Sequence, residues 1–318
     1  MEGKSGVILI SVLWVLLILS LVAWGLSRRS ALEVSLLETY QGKLRSYAAA
    51  RAGVNRVLEL MERFPSKKDT LYSSGIDIHP GQIPKDVFSH IDVGRRTYAM
   101  VEWSARGFGD HVEHLVYGLQ DEQGKININA INENNYQILS ALFELKGLSR
   151  TQADALVLAI VGFRTTGYQY KHLFELLEVS GVTEKIFEQI KDDVTVYGDA
   201  QNGLWVNMDT ANDAVIQALA NAAGRVNPLV EAKDIVRQSY AVRNGADGRL
   251  FTADDGSGSF FGNVQNWPPT LREGNSSYLR ARVIGVDEDT KMRTVIEAII
   301  HRTSGFSGNQ IIGWHRDY

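Results

Sequence analysis

The residues best suited to chemistry lie in one acidic, glycine-rich stretch, Asn244 to Gly256, which reads NGADGRLFTADDG. Asn244, Asp247, Asp254 and Asp255 bring amide and carboxylate oxygens onto one loop, the donor set that a hard cation such as calcium prefers. Their spacing departs from the EF-hand pattern, so the stretch reads either as a calcium site of another kind or as a solvated acidic loop. The chain has no cysteine, which excludes disulfides, thiolate nucleophiles and cysteine-rich zinc sites. His111 and His114 flank Glu113 but lack a third ligand at metal spacing, and read as a surface loop. Phosphate loops, nucleophile elbows and zinc-protease helix motifs are missing, so no enzyme constellation is expected.

Nucleic acid is the other ligand to weigh. Leu145 to Ser149 (LKGLS) and Val179 to Thr183 (VSGVT) each precede a helical pattern, over residues 153–163 and 184–192. The glycine of each supplies the positive φ of a tight interhelical turn. Such helix-hairpin-helix units hold DNA phosphates in many proteins, and a membrane-anchored DNA-binding protein is the alternative function. Against it, the segment from Asp121 to Asp199 carries twelve acidic against seven basic side chains, and the whole chain has a formal net charge of -4. Phosphate binding draws on local positive charge, so no nucleic-acid partner is expected.

The elements that position these loops begin with an anchor. Val7 to Leu26 is an uncharged apolar run, bounded by Lys4 and by Arg28-Arg29. At about 1.5 Å per residue it covers a hydrocarbon core of roughly 30 Å. It is too long for a signal-peptide core and lacks a cleavage site after it. Apolar residues then recur at three- and four-residue steps, from Leu32 to Met61, without a proline until Pro65. One helix over 7–64 is therefore predicted, half in lipid and half amphipathic, with Gly25, Gly42 and Gly53 as soft points. Residues 65–95 read as an irregular connection. Tyr98 to Ala105, His114 to Gln120, Tyr278 to Val286, Lys291 to His301 and Gln310 to Trp314 read as strands, with Asp287 to Thr290 as a charged hairpin tip.

Between the two groups of strands lies a mostly helical stretch with a weak repeat. Asn127-Ile128-Asn129 matches Asn207-Met208-Asp209. The short polar side chains of both copies read as helix starts, with Thr210 and Asp213 at capping-box spacing. The expected class is α+β: a long N-terminal helix on a small antiparallel sheet, with a large inserted helical domain. The division is a leader at 1–6, the helix at 7–64 (membrane span 7–26), an α/β domain from 65–124 plus 272–318, and the insertion at 125–271.

A short leader ending in Gly6, then an apolar helix running into an amphipathic one, resembles the type IV pilin class. Ser11 stands where most members have glutamate at the fifth mature position, a departure typical of the K subunit among pseudopilins. Three further landmarks resemble that minor pseudopilin family of type II secretion: Asp121 to Asn129 (DEQGKININ), Glu175 to Gly181 (ELLEVSG) with Val194 to Gly198 (VTVYG), and Val206 to Ala211 (VNMDTA). In the third, Met208 and Asp209 depart from the family's usual residues. Ile311 to Arg316 is similar to its terminal strand.

The resemblance implies cleavage by prepilin peptidase between Gly6 and Val7, N-methylation of Val7, an inner-membrane anchor and a periplasmic body. It also implies other minor pseudopilins as partners, a place at the pseudopilus tip, and calcium-binding loops. Charge alone argues for the opposite orientation, since Arg28 and Arg29 outnumber Lys4.

Overall fold

The computed structural model describes residues 4–63, 86–94, 96–105, 114–164, 168–198, 203–208, 210–229, 231–243, 270–272, 277–302 and 308–317. Helix α1 is continuous from Lys4 to Arg63, about 90 Å long at ~1.5 Å per residue. The absence of proline permits that length, and local bonds support it. Ser20 Oγ donates to the Leu16 carbonyl at 2.8 Å, hiding its hydroxyl within the apolar run, and Arg29 pairs with Glu33 at 3.0 Å.

The helix has two different halves. From Leu9 to Leu26 its large apolar side chains stay at least 50% exposed, all round the helix. From Gly42 onward one stripe is buried, with Ser46, Ala49, Ala50, Val54, Val57, Leu60 and Met61 at most 2% exposed. That stripe lies on the sheet. Each fully buried Val, Leu or Met contributes about 1.5–3 kcal/mol relative to exposure.

After α1 come a single turn of helix, α2 (Asp86–Ser89), and a short strand, β1 (Ile91–Gly94). The stretch expected to be irregular up to residue 95 is thus regular from Asp86. A tight turn with Arg96 at φ 59° carries β1 into β2 (Thr97–Ala105), and Asp92 Oδ1 accepts from the Gly94 N–H at 2.8 Å. The strand expected over 114–120 is broken. β3 (His114–Tyr117) pairs with β2, whereas β4 (Gln120–Asp121) pairs with a later strand, β9 (Tyr278–Asp287). Gly118, at φ 140°, makes the break, and its N–H donates to the Val101 carbonyl at 2.9 Å.

Strand β9 forms the expected hairpin with β10 (Arg293–Arg302), and β11 (Asn309–Asp317) adds the far edge. The sheet is antiparallel and seven-stranded among the described residues, in the order β1-β2-β9-β10-β11 with β3 on β2 and β4 on β9. Alternation places Ala281, Val283, Ile296, Ala298 and Ile300 under α1.

Two glycines at this seam are close-packing residues rather than soft points. A Cβ on Gly53 would stand 2.6 Å from Val283 Cγ1 and 2.8 Å from Ala99 Cβ, and one on Gly42 would run into Thr290. Gly25 meets no such neighbour. Asp287 is likewise more than a charged tip: it is fully buried, and its Oδ2 accepts from Thr290 Oγ1 at 2.6 Å to close the turn.

The stretch between β4 and β9 is mostly helical. It includes β5 (Ile126–Asn127), α3 (Tyr136–Leu145), α4 (Arg150–Phe163), α5 (Glu184–Ile190) and β6 (Val194–Thr195). There follow β7 (Val206–Asn207), α6 (Asp213–Val226), α7 (Ala232–Arg243) and β8 (Leu271–Arg272). Its core is separate from that under α1 and is built from Ile126, Ile128, Leu139, Leu142, Ile160, Leu219 and their neighbours. Both interhelical turns take the positive φ expected, 97° at Gly147 and 94° at Gly181. Ser149 and Thr183 cap the helices that follow.

Candidate functional site

Parts of all three landmarks, Asp121 to Asn129, Val194 to Gly198 and Val206 to Ala211, meet at the junction where the helical unit joins the sheet. Glu175 to Gly181 lies instead within the helical unit, on the 3-10 stretch Leu173–Glu178 and the turn after it. Parallel pairing of Ile126-Asn127 with Val194-Thr195 lays the first against the second. The third is tied to the first through Asp121. Its Oδ1 accepts from the Gln123 N–H at 2.7 Å, and its Oδ2 accepts from Asn207 Nδ2 at 2.8 Å and Thr210 Oγ1 at 2.6 Å. One carboxylate thereby fixes two chain segments.

Beside it stands a buried charge cluster. Glu122 is fully buried, and its Oε1 accepts from Lys125 Nζ at 2.9 Å and from Arg280 Nε at 2.7 Å. Its Oε2 accepts from Thr195 Oγ1, and Arg280 Nη1 reaches Glu297 Oε2 at 3.1 Å. Burial alone would raise the Glu122 pKa. The Arg280 and Lys125 charges, with the hydrogen bonds from Arg280 and Thr195, outweigh it and hold the carboxyl well below the usual range. Burial likewise lowers the Lys125 pKa, against the attraction of Glu122. An ion pair so enclosed contributes little net stability when intact but costs much when one partner is removed.

The asparagines of the repeat act as pins. Asn129 Nδ2 donates to the carbonyls of Tyr170 and Val196, at 2.9 and 3.0 Å, while its Oδ1 accepts from the Tyr170 N–H. The Tyr170 hydroxyl donates to the Ile160 carbonyl at 2.8 Å, and burial pushes its pKa up to about 12. Asn127 Oδ1 accepts from the Asn129 N–H, opening a single 3-10 turn, as a helix-start reading requires. The capping box assigned to Thr210 and Asp213 does not form, because the Thr210 hydroxyl is committed to Asp121. Asn212 caps α6 instead, its Oδ1 accepting from the Val215 N–H at 2.9 Å. Gly124 is required where it stands, since a Cβ there would lie 2.6–2.8 Å from Thr210.

Among the described residues no group of three His, Asp or Glu side chains is placed to bind a metal. The proposed calcium residues Asn244, Asp247, Asp254 and Asp255 lie outside the described residues, as do His111 and Glu113. Gly6 and Val7 lie on the first turns of α1. What the sequence reading missed is that Asp121, Glu122 and Arg280 form a single joint. A run of charged residues beside glycine looks the same whether it is solvated or buried.

The architecture is that of an α+β protein in which a long helix, bare over its first half, docks on an antiparallel sheet that carries an inserted helical unit. The same fold occurs in a chain of the crystal structure of the GspK-GspI-GspJ complex from the Type 2 Secretion System of enterotoxigenic Escherichia coli. The TM-score is 0.53 and the identity 14%, over 90% of this chain and 99% of that one. At that identity the likeness is one of fold. No protein-family model matches this sequence, and no curated protein matches it.

Proposed function

We propose that this chain is a minor pseudopilin of a type II secretion system, of the K kind, and that it works as a structural subunit rather than an enzyme. The observation that carries the reading is the divided helix α1. From Leu9 to Leu26 its large apolar side chains are exposed on every face, and its second half is locked to the sheet. Such a segment is suited to lipid before assembly and to other subunits' helices afterwards. Among the described residues, the one helix of this length and hydropathy begins near the N-terminus. The shared fold and the landmark motifs support the same reading.

In this reading prepilin peptidase cuts between Gly6 and Val7 and the new N-terminus is methylated. The body then stands in the periplasm, with residues 125–271 as an inserted domain on a pilin-like α/β unit. Other minor pseudopilins are the partners. The bulk of the helical unit suits a subunit at the tip of the pseudopilus, where nothing need stack above it, and Ser11 in place of glutamate fits the same position.

Mass spectrometry of the chain isolated from membranes is the test. A mature N-terminus at N-methyl-Val7 is expected, and an intact Met1 would overturn the assignment. For the tip role, a deletion strain should lose secretion or change fibre length; unchanged secretion and length would remove that part.

A further inference from the structure

Every residue of α1 from Leu9 to Glu38 is exposed. The apolar run ends at Leu26, and Gly42, the first buried position after it, lies about 24 Å further along the axis. Packing against the sheet therefore begins well beyond the run, and the depth of the span falls to the residues at its boundary.

Two side chains at that boundary are arranged together. Trp24, 65% exposed, is the last aromatic residue of the run. The Arg28 guanidinium lies over its ring, 5.8 Å from the centroid. Side chains on a helix lean toward its N-terminus, and this contact draws Arg28 back toward the span. Arg29 turns the other way, its Nε donating to Glu33 Oε1 at 3.0 Å, one turn further from the run. The two adjacent arginines thus differ: Arg29 has its charge offset by an acid, whereas Arg28 is set on an aromatic face, which attracts a cation without neutralising it. Indole rings favour the level between hydrocarbon and headgroups. Arg28 stands about 3 Å beyond Leu26 along the axis, at the level where the headgroup region begins. Its five N–H donors form a fork that matches phosphate oxygens.

We infer that Trp24 and Arg28 form a clamp at the membrane surface, with the indole at the edge of the hydrocarbon and the guanidinium on the phosphate of a lipid headgroup. The clamp fixes the depth of α1. This inference rests on the membrane-anchored reading of the helix. If the leader is removed after Gly6, Lys4 goes with it, and Arg28 and Arg29 become the charged side chains nearest the run. The clamp then acts at one end of the span, and one cation on a mobile headgroup is readily detached when the helix is withdrawn into a fibre.

The chain has no cysteine, so single introduced cysteines report cleanly. Full-length chains carrying Ala23→Cys or Ser30→Cys are placed in lipid nanodiscs of phosphatidylethanolamine and phosphatidylglycerol, and labelling by a water-soluble maleimide is timed. Position 30 should label at least tenfold faster than position 23. Trp24→Leu with Arg28→Gln should cut that ratio below threefold, as should nanodiscs of digalactosyl diacylglycerol, which lacks phosphate. Arg29→Gln should keep the full ratio, and so should added inorganic phosphate, because the anion recognised belongs to the bilayer. A ratio that survives both the double substitution and the phosphate-free lipid overturns the clamp and leaves the membrane reading standing. Loss of the ratio in Arg29→Gln, or on adding inorganic phosphate, overturns it too, since any basic residue or a soluble anion would then account for it. Equal labelling of the two positions without further substitution would sink the membrane reading itself, and the clamp with it.

Discussion

Two seams hold this molecule together, and they are built on opposite principles. Where α1 meets the sheet, the contact is mainly apolar and steric: Gly53 lets the helix sink onto Ala99 and Val283, Gly285 lets it pass over Ser46 and Ala50, and one buried hydrogen bond joins the Ser46 and Thr294 hydroxyls at 2.7 Å. Where the helical unit meets the sheet, the contact is polar. Glu122, Lys125 and Arg280 are buried together, and Asp121 ties in Asn207 and Thr210. The first seam needs small residues at spaced positions and tolerates no extra volume. The second tolerates no missing partner. A steric seam gives adhesion, while a seam of interlocked charges fixes one orientation at little net gain in stability.

The largest effect should come from breaking the polar seam. Glu122→Ala leaves Lys125 and Arg280 confined without their counter-charge, and should cost about 3–5 kcal/mol of unfolding free energy in thermal or denaturant melts. Glu122→Gln keeps the shape and should cost less. The pH dependence separates charge from shape. The carboxyl is held below its ordinary value near 4.5 in the folded chain, so its contribution is complete above that value and is lost as pH falls through the folded pKa. The gap between wild type and Glu122→Gln should therefore narrow below about pH 4.5; a gap that widened there would contradict the ionised assignment.

An intermediate effect should follow from adding volume at the steric seam. Gly53→Val forces methyl groups into Val283 and Ala99 and should destabilise by about 1–3 kcal/mol, with no change in pH dependence. If Gly53→Val instead raised stability, the residue would be the flexible point that helix propensity suggests. The smallest effect belongs to the free half of α1, which takes part in neither seam. Leu16→Ala should stay within about 0.5 kcal/mol in the detergent-solubilised chain. A larger loss would show that this half packs on the body.

Much of this was legible beforehand. The continuous helix follows from its periodicity and lack of proline, and the β9–β10 hairpin from alternation around a polar turn. The glycine turns at Gly147 and Gly181 were also readable, because local geometry dictates them. What escaped was everything set by distant neighbours. Gly42 and Gly53 looked like weak points because their helix propensity is visible in sequence and the side chains beneath them are not. Thr210 looked like a cap because three-residue spacing is local, whereas Asp121, which claims its hydroxyl, lies 89 positions away. The stretches Asp121 to Asn129, Val194 to Gly198 and Val206 to Ala211 are recognisable as patterns, yet their convergence on one joint requires the fold.

The pairing of β4 with β9 has a mechanical consequence. Gln120 and Asp121, where the chain leaves for the helical unit, sit opposite Arg280 and Leu279, just after it returns. Tension applied along α1 passes into the sheet and can cross from β4 to β9 without travelling through the residues between them. The helical unit is thus wired in parallel with the load rather than in series. A pull along α1 would strain the sheet first and leave the helical unit's own packing at rest.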